Sequence, residues 1–133
     1  MKYLLDTNIC IALIRQKPKE IIKKLTSYRP GDIGISAITI AELIHGAQKS
    51  KQVEQNMTAL DQFLLPLEVV DFDQNAAVAY GHIRTHLENK GALIGSMDML
   101  IAAHARSLDV ALVTNNTREF KRIPDLKLED WMA

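Results

Sequence analysis

The chain opens with Lys2-Tyr3-Leu4-Leu5-Asp6-Thr7-Asn8 and passes at once into Ile9-Cys10-Ile11-Ala12-Leu13-Ile14. A short apolar run ending at Asp6, with a second apolar run directly after it, reads as strand, turn and mostly buried helix. The same alternation continues downstream. Pro18 suits the first turn of a helix reaching about Tyr28, where Arg29-Pro30-Gly31-Asp32 stops it. Ile33–Ser36 is a second strand. From Ala37 to about Lys49, Ile40, Leu43, Ile44 and Ala47 recur at helical spacing, and Val53–Leu65 carries Met57, Leu60, Phe63 and Leu64 on one side until Pro66. Leu67–Val70 is a third strand. A helix from about Asp73 to Asn89 ends at Lys90-Gly91, another opens at Gly95-Ser96 and runs through Leu108, Val110–Val113 is a fourth strand, and Leu126–Leu128 adds a short edge strand. Strands separated by helices need right-handed crossovers. The expected fold is therefore α/β in three layers (α/β/α), with a mostly parallel sheet of four to five strands.

The length of 133 residues suits one domain, 1–133, and a composition of 47% hydrophobic and 24% charged residues excludes disordered, collagenous and membrane-spanning classes. No apolar run approaches the roughly 20 residues that span a bilayer, and the N-terminus turns polar too early for a signal peptide, so no membrane role and a cytoplasmic location are expected. Cys10 has no partner for a disulfide or a zinc site and reads as a small buried apolar side chain. Sixteen basic residues balance sixteen acidic ones, yet residues 1–51 hold nine basic and four acidic side chains, and residues 52–109 hold three and eight. Such an asymmetry is either a solvated-face accident or a polyanion-facing end.

In an open α/β sheet, function gathers beyond the carboxyl ends of the strands. Asp6 follows the first strand, Thr114 and Asn115 follow the fourth, Asp98 lies in the first turn of the helix feeding the fourth, and Glu42 sits about one and a half turns into the helix after the second. Capping explains part of this pattern: Asp6 can cap its helix, and Ser96 can cap the one carrying Asp98. It does not explain Glu42, flanked by Ala41, Leu43 and Ile44 on an amphipathic helix, because a carboxylate near an apolar face needs a partner. Carboxylates that meet without a matching Lys or Arg repel, and a divalent cation with oxygen ligands resolves the conflict. Mg²⁺ is the natural occupant, with Mn²⁺ able to substitute. Such a site polarises a phosphoryl oxygen and generates hydroxide from bound water, which is the chemistry of phosphodiester hydrolysis. Other machineries fit less well. Ser36 shows no evident His partner, His45, His82, His86 and His104 lack a metal-site spacing beyond the shared face of His82 and His86, and no Gly-rich phosphate loop is present.

Asp6-Thr7-Asn8 after the first strand, Ser36-x-x-Thr39-x-x-Glu42 entering a helix, Ile94-Gly95-Ser96-Met97-Asp98 opening another, and Val113-Thr114-Asn115-Asn116-Thr117-Arg118-Glu119-Phe120 together resemble the PIN-domain ribonucleases. More narrowly they resemble the VapC toxins of type II toxin–antitoxin modules, over nearly the whole chain as far as Leu126-Lys127-Leu128-Glu129-Asp130-Trp131. The resemblance implies a PIN fold, Mg²⁺-dependent cleavage of RNA, with tRNA as the expected class, and a homodimer. It also implies a VapB antitoxin that blocks the site and helps to bind operator DNA. It assigns Asp6, Glu42 and Asp98 to the catalytic metal cluster, with Thr7, Asn8, Thr114 and Asn115 orienting it. Many PIN domains carry a further aspartate where this chain has Asn116, so Asn116 and Glu119 are candidates for a second metal position, with a helix-capping box as the structural alternative for Glu119.

Two other classes compete. A phosphoacceptor receiver domain wants adjacent acids after the first strand and a Lys after the last, and neither is present. A non-catalytic binding module on the same fold remains the alternative function, against which the retained acids speak. The RNA-binding candidates are Lys17, Lys19, Lys23, Lys24, Lys49 and Lys51, with Arg118, Lys121 and Arg122 near the proposed metal. The large aliphatics at Ile9–Ile14 and Met57–Leu64 are the candidate partner surface.

Overall fold

The computed structural model describes residues 1–132. Five strands, β1 (Tyr3–Leu5), β2 (Ile33–Ser36), β3 (Glu68–Val70), β4 (Ala111–Val113) and β5 (Leu128–Glu129), make one sheet in the order β3-β2-β1-β4-β5. Every pairing is parallel, with Leu4 beside both Gly34 and Leu112, Ile35 beside Val69, and Val113 beside Glu129. The first strand of the chain is thus the central strand of the sheet. Helices α1 (Thr7–Arg15), α2 (Lys19–Thr26), α3 (Ala37–Gln48), α4 (Val53–Leu64), α5 (Gln74–Asn89), α6 (Ser96–Leu108) and α7 (Thr117–Phe120) connect the strands.

Neighbouring strand residues face opposite ways, and the two cores follow from that rule. Leu4 and Leu112 face α5 and α6, where they meet Ile83, Leu87, Met99 and Ile101, with Phe120 and Ile123 closing the edge. Leu5, Ile33, Ile35 and Val113 face the other way, onto Ile9, Cys10, Leu13, Ile21, Leu43 and Leu60 from α1 to α4. These are the three layers that the strand–helix alternation implies. Cys10 is fully buried among aliphatics, as its reading as a small apolar side chain requires.

The five-stranded sheet has the expected mostly parallel form and is parallel at its β5 edge as well. Single-turn α7 and the bend at Asp125, whose φ is 62°, carry the chain back so that it re-enters beside β4 in the same direction. The edge strand also begins two residues late, at Leu128. Leu126 turns onto the core instead of extending the strand, although the Lys127 carbonyl already accepts the Leu112 N–H at 2.8 Å. Tyr3, Tyr28 and Trp131 hold the chain end, with Tyr28 and Trp131 stacked 5.5 Å apart and the Trp131 N–H donating to Glu129 at 2.9 Å. The end of α5 is set by Gly91, whose φ of 61° suits glycine, while the Ala92 N–H closes back on the Leu87 carbonyl at 2.9 Å.

Candidate active site

Asp6 is buried, 4% exposed, at the point where β1 becomes α1. Its Oδ1 accepts the Ile9 N–H at 2.8 Å, so it caps α1, and its own N–H continues the sheet ladder to the Val113 carbonyl at 3.0 Å. Those two bonds fix the carboxyl at the junction of β1 and β4. Burial pushes it up to about 6 from 3.8, with the charges of Asp98 and Glu42 adding to the rise; the Thr114 hydroxyl and the Ile9 N–H work the other way.

Glu42 lies half-buried on α3, and the Thr7 hydroxyl, from the first turn of α1, donates to its Oε1 at 2.6 Å. Asp98 lies half-buried in the first turn of α6. Its carboxyl is raised by burial, then by Glu42, then by Glu119. Four carboxylates therefore feel one another at this edge of the sheet: Asp6, Glu42, Asp98 and Glu119. Among the described residues, no Lys or Arg forms an ion pair with any of them. Nor do any three acidic, histidine or cysteine side chains among those residues converge closely enough to grip an ion as they stand. The donor set of carboxylates and hydroxyls, with no opposing base, is the kind that suits a hard divalent cation.

The capping readings fare differently at each acid. At α6 the cap position falls on Gly95 and makes no side-chain bond; Ser96 is the first helical residue and does not cap. At α7 the capping box is not formed, because Asn116 donates its amide to Glu119 Oε2 at 3.2 Å while its N–H goes to the Thr114 hydroxyl at 2.9 Å. Asn116 thereby holds the Glu119 carboxylate by a neutral donor. Asn8 is exposed beside Thr7, and Asn115 is exposed and makes no side-chain hydrogen bond among the described residues.

Ser36 corrects the expectation that it lacks a histidine. His104 Nδ1 lies 2.7 Å from its Oγ, although both side chains are sealed from solvent and no substrate could reach the pair. The residues are 68 apart in sequence, and only the polarity of His104 amid Ala102-Ala103 and Ala105 could have drawn attention to it. His82 is exposed and His86 half-buried on α5.

A groove of about 600 Å³ opens beside Thr7, Asn8 and Glu42 and runs between α1, α3 and α4, walled by Ile11, Ile14, Leu43, Ala59 and Leu60 with Arg15 and Lys49 along it. Apart from Leu43, these walls come from the two aliphatic stretches singled out as a partner surface. Of the N-terminal lysines, Lys49 lines this groove. Lys24 is engaged elsewhere, 3.9 Å from Glu129 and over the Tyr28 ring. Lys17, Lys19, Lys23 and Lys51 are exposed, as are Arg118, Lys121 and Arg122 around α7.

Residues 3–126 match the PIN domain family model. Ribonuclease VapC2 of Rickettsia felis is 48% identical over 98% of both chains, and the tRNA(fMet)-specific endonuclease VapC of Shigella flexneri is 43% identical over 98% of both. The crystal structure of VapBC2 from Rickettsia felis bound to a DNA fragment from their promoter superposes with a TM-score of 0.93, at 47% identity, covering 98% of this chain and 99% of that one.

Proposed function

The chain belongs to the PIN-domain family and, within it, to the VapC ribonucleases, and from that premise we propose that it is a divalent-cation-dependent endoribonuclease toxin that cuts tRNA and is neutralised by a VapB-type antitoxin. The observation that carries the reading is that Asp6, Glu42, Asp98 and Glu119 gather at one sheet edge and that, among the described residues, none of them is ion-paired with a Lys or Arg. A Mg²⁺ or Mn²⁺ ion bound there supplies a polarised phosphoryl oxygen and an acidified water. The chain's own residues fix the oxygens: the Ile9 N–H holds Asp6, Thr7 holds Glu42, and Asn116 holds Glu119. The tRNA assignment rests on the Shigella flexneri relative's activity. The antitoxin assignment rests on the Rickettsia felis VapBC2 complex and on the apolar groove continuous with the acids. Retention of Asp6, Glu42 and Asp98 speaks against the non-catalytic alternative. The deciding experiment incubates antitoxin-free protein with total cellular RNA and Mg²⁺ and maps new 5′ ends. Discrete ends in tRNA support the proposal, and intact RNA at every Mg²⁺ concentration overturns it.

Glu119 is the fourth carboxylate of this proposal, in place of the neutral Asn116. An amide oxygen offers a hard cation no net charge, so the charge at this corner comes from Glu119. Glu119→Gln is expected to raise the Mg²⁺ concentration for half-maximal cleavage by about tenfold, and Asn116→Asp in that background to lower it again. An unchanged Mg²⁺ titration in Glu119→Gln would remove Glu119 from the site.

The lysines divide by position. Lys49→Ala is expected to weaken RNA binding and to reduce the dependence of log K on log salt by about 1, as the loss of one phosphate contact does. Lys24→Ala, whose ammonium already faces Glu129 and Tyr28, is expected to leave RNA affinity within about twofold and the slope unchanged. Equal losses in the two variants, measured by fluorescence anisotropy over a salt series, contradict this division.

A further inference from the structure

Glu42 and Asp98 stand on different helices, α3 and α6, so their separation depends on how those helices are held together. Among the described residues, one side-chain hydrogen bond joins the start of α3 to α6. His104 Nδ1 lies 2.7 Å from Ser36 Oγ, and the same oxygen accepts the Ile38 N–H at 3.1 Å, the bond that starts α3. Ser36 is six residues before Glu42, and His104 is six residues after Asp98. Two arms of about 9 Å of helix thus radiate from one hydrogen bond to the two carboxylates.

The direction of the proton follows from the donors present. Ser36 Oγ already accepts from Ile38, and its own hydrogen needs an acceptor, which Nδ1 offers if the neutral ring carries its proton on Nε2. Burial favours the neutral ring, and the Asp71 backbone nearby favours a ring N–H. Nε2 nonetheless has no partner in hydrogen-bond geometry, while the Phe72 ring stands edge-on 5.3 Å away. An unmatched buried N–H is unfavourable, and a leucine among Ala102, Ala103 and Ala105 would avoid it. A leucine could not take the Ser36 hydrogen and fix the first turn of α3.

We propose that His104 is a positioning residue: by accepting the Ser36 hydroxyl hydrogen it locks the start of α3 to α6 and so sets the separation of Glu42 and Asp98, two of the carboxylates that would hold a divalent cation. The inference rests on the cation-dependent reading above.

The test compares His104→Asn with His104→Gln in the full chain. Asn places its amide near the position of Nδ1 and can still accept from Ser36, whereas Gln places its amide near Nε2. Mn²⁺ affinity is measured by titration calorimetry, alongside thermal unfolding and the Mg²⁺ dependence of cleavage. His104→Gln is expected to weaken Mn²⁺ about tenfold and to raise the half-saturating Mg²⁺ in step, and His104→Asn to stay within about threefold of wild type on both. In ¹⁵N-labelled wild type, His104 Nδ1 is expected to show the shift of an unprotonated ring nitrogen. Should His104→Gln fail to fold, Ser36→Ala removes the same hydrogen bond, and with it the cap on the Ile38 N–H, with little loss of volume, and carries the same expectation. Equal Mn²⁺ affinity in wild type and in His104→Gln or Ser36→Ala, or a parallel loss in Asn and Gln variants that follows their melting temperatures, overturns the positioning role. Failure of wild type itself to bind Mn²⁺ overturns the cation reading and this inference with it.

Discussion

Asp6→Asn is expected to lower RNA cleavage by about a hundredfold or more while making the cation-free protein more stable at neutral pH. The first effect follows from removing a charged oxygen at the centre of the carboxylate cluster, since even indirect partners of a metal site are worth 10–100-fold. The second follows from burial. In the folded protein the Asp6 carboxyl is pushed up to about 6, above its value of 3.8 in the open chain, so the folded state binds its proton more tightly than the unfolded state does. The charged form therefore disfavours folding above pH 6, by about 3 kcal/mol at full effect, and that cost fades as pH falls from about 6 to about 4. Asparagine retains an oxygen for the Ile9 N–H and carries no charge. Melting curves in chelator should show Asp6→Asn above wild type at pH 7 and level with it near pH 4. Mg²⁺ should raise only the wild type. Cleavage by Asp6→Asn at matched Mg²⁺, or a stability gap indifferent to pH, would contradict the placement of Asp6.

Phe120→Ala is expected to lower stability by about 3–5 kcal/mol and the melting temperature by roughly 10–20 °C. Phe120 is 1% exposed, and it is the buried side chain by which four-residue α7 joins the core beside Ile123 and Leu112. A helix of that length has no stability of its own. Releasing its anchor frees the segment that presents Asn116 and Glu119, so the same variant should also need more Mg²⁺ for cleavage. A fall in melting temperature of less than about 3 °C would mean that α7 is held by its backbone bonds instead.

Much of this architecture is local in origin and was legible for that reason. The strand, turn and helix of residues 2–14 are written in adjacent residues, and the rule that parallel strands end at a common edge places Asp6, Thr114 and the first turn of α6 together. What escaped the sequence depends on partners far along the chain. Lys24 reads as a free cation until Glu129 arrives beside it, and Ser36 reads as unpartnered until α6 brings His104 back across 68 residues. The Asn116 and Glu119 spacing was visible, yet spacing does not say which atom a side chain serves. Thr114 takes the Asn116 N–H, so the amide turns onto the carboxylate and the capping box does not close. The parallel edge strand depended on α7 and on the left-handed Asp125, which hydrophobic patterning alone does not register.

The central place of β1 also sets a clock. Asp6 is made more than a hundred residues before the strand that flanks it on one side, β4, is completed at Val113, and Glu119 follows later. At synthesis rates of about 5–20 residues per second, roughly 5–20 s separate the two flanks of the site. During that interval the nascent chain has neither Thr114 beside Asp6 nor the buried carboxylate cluster. A carboxylate centre assembled from such distant parts of one chain, with Asp6 before α1 and Glu119 after β4, cannot form until both have been made.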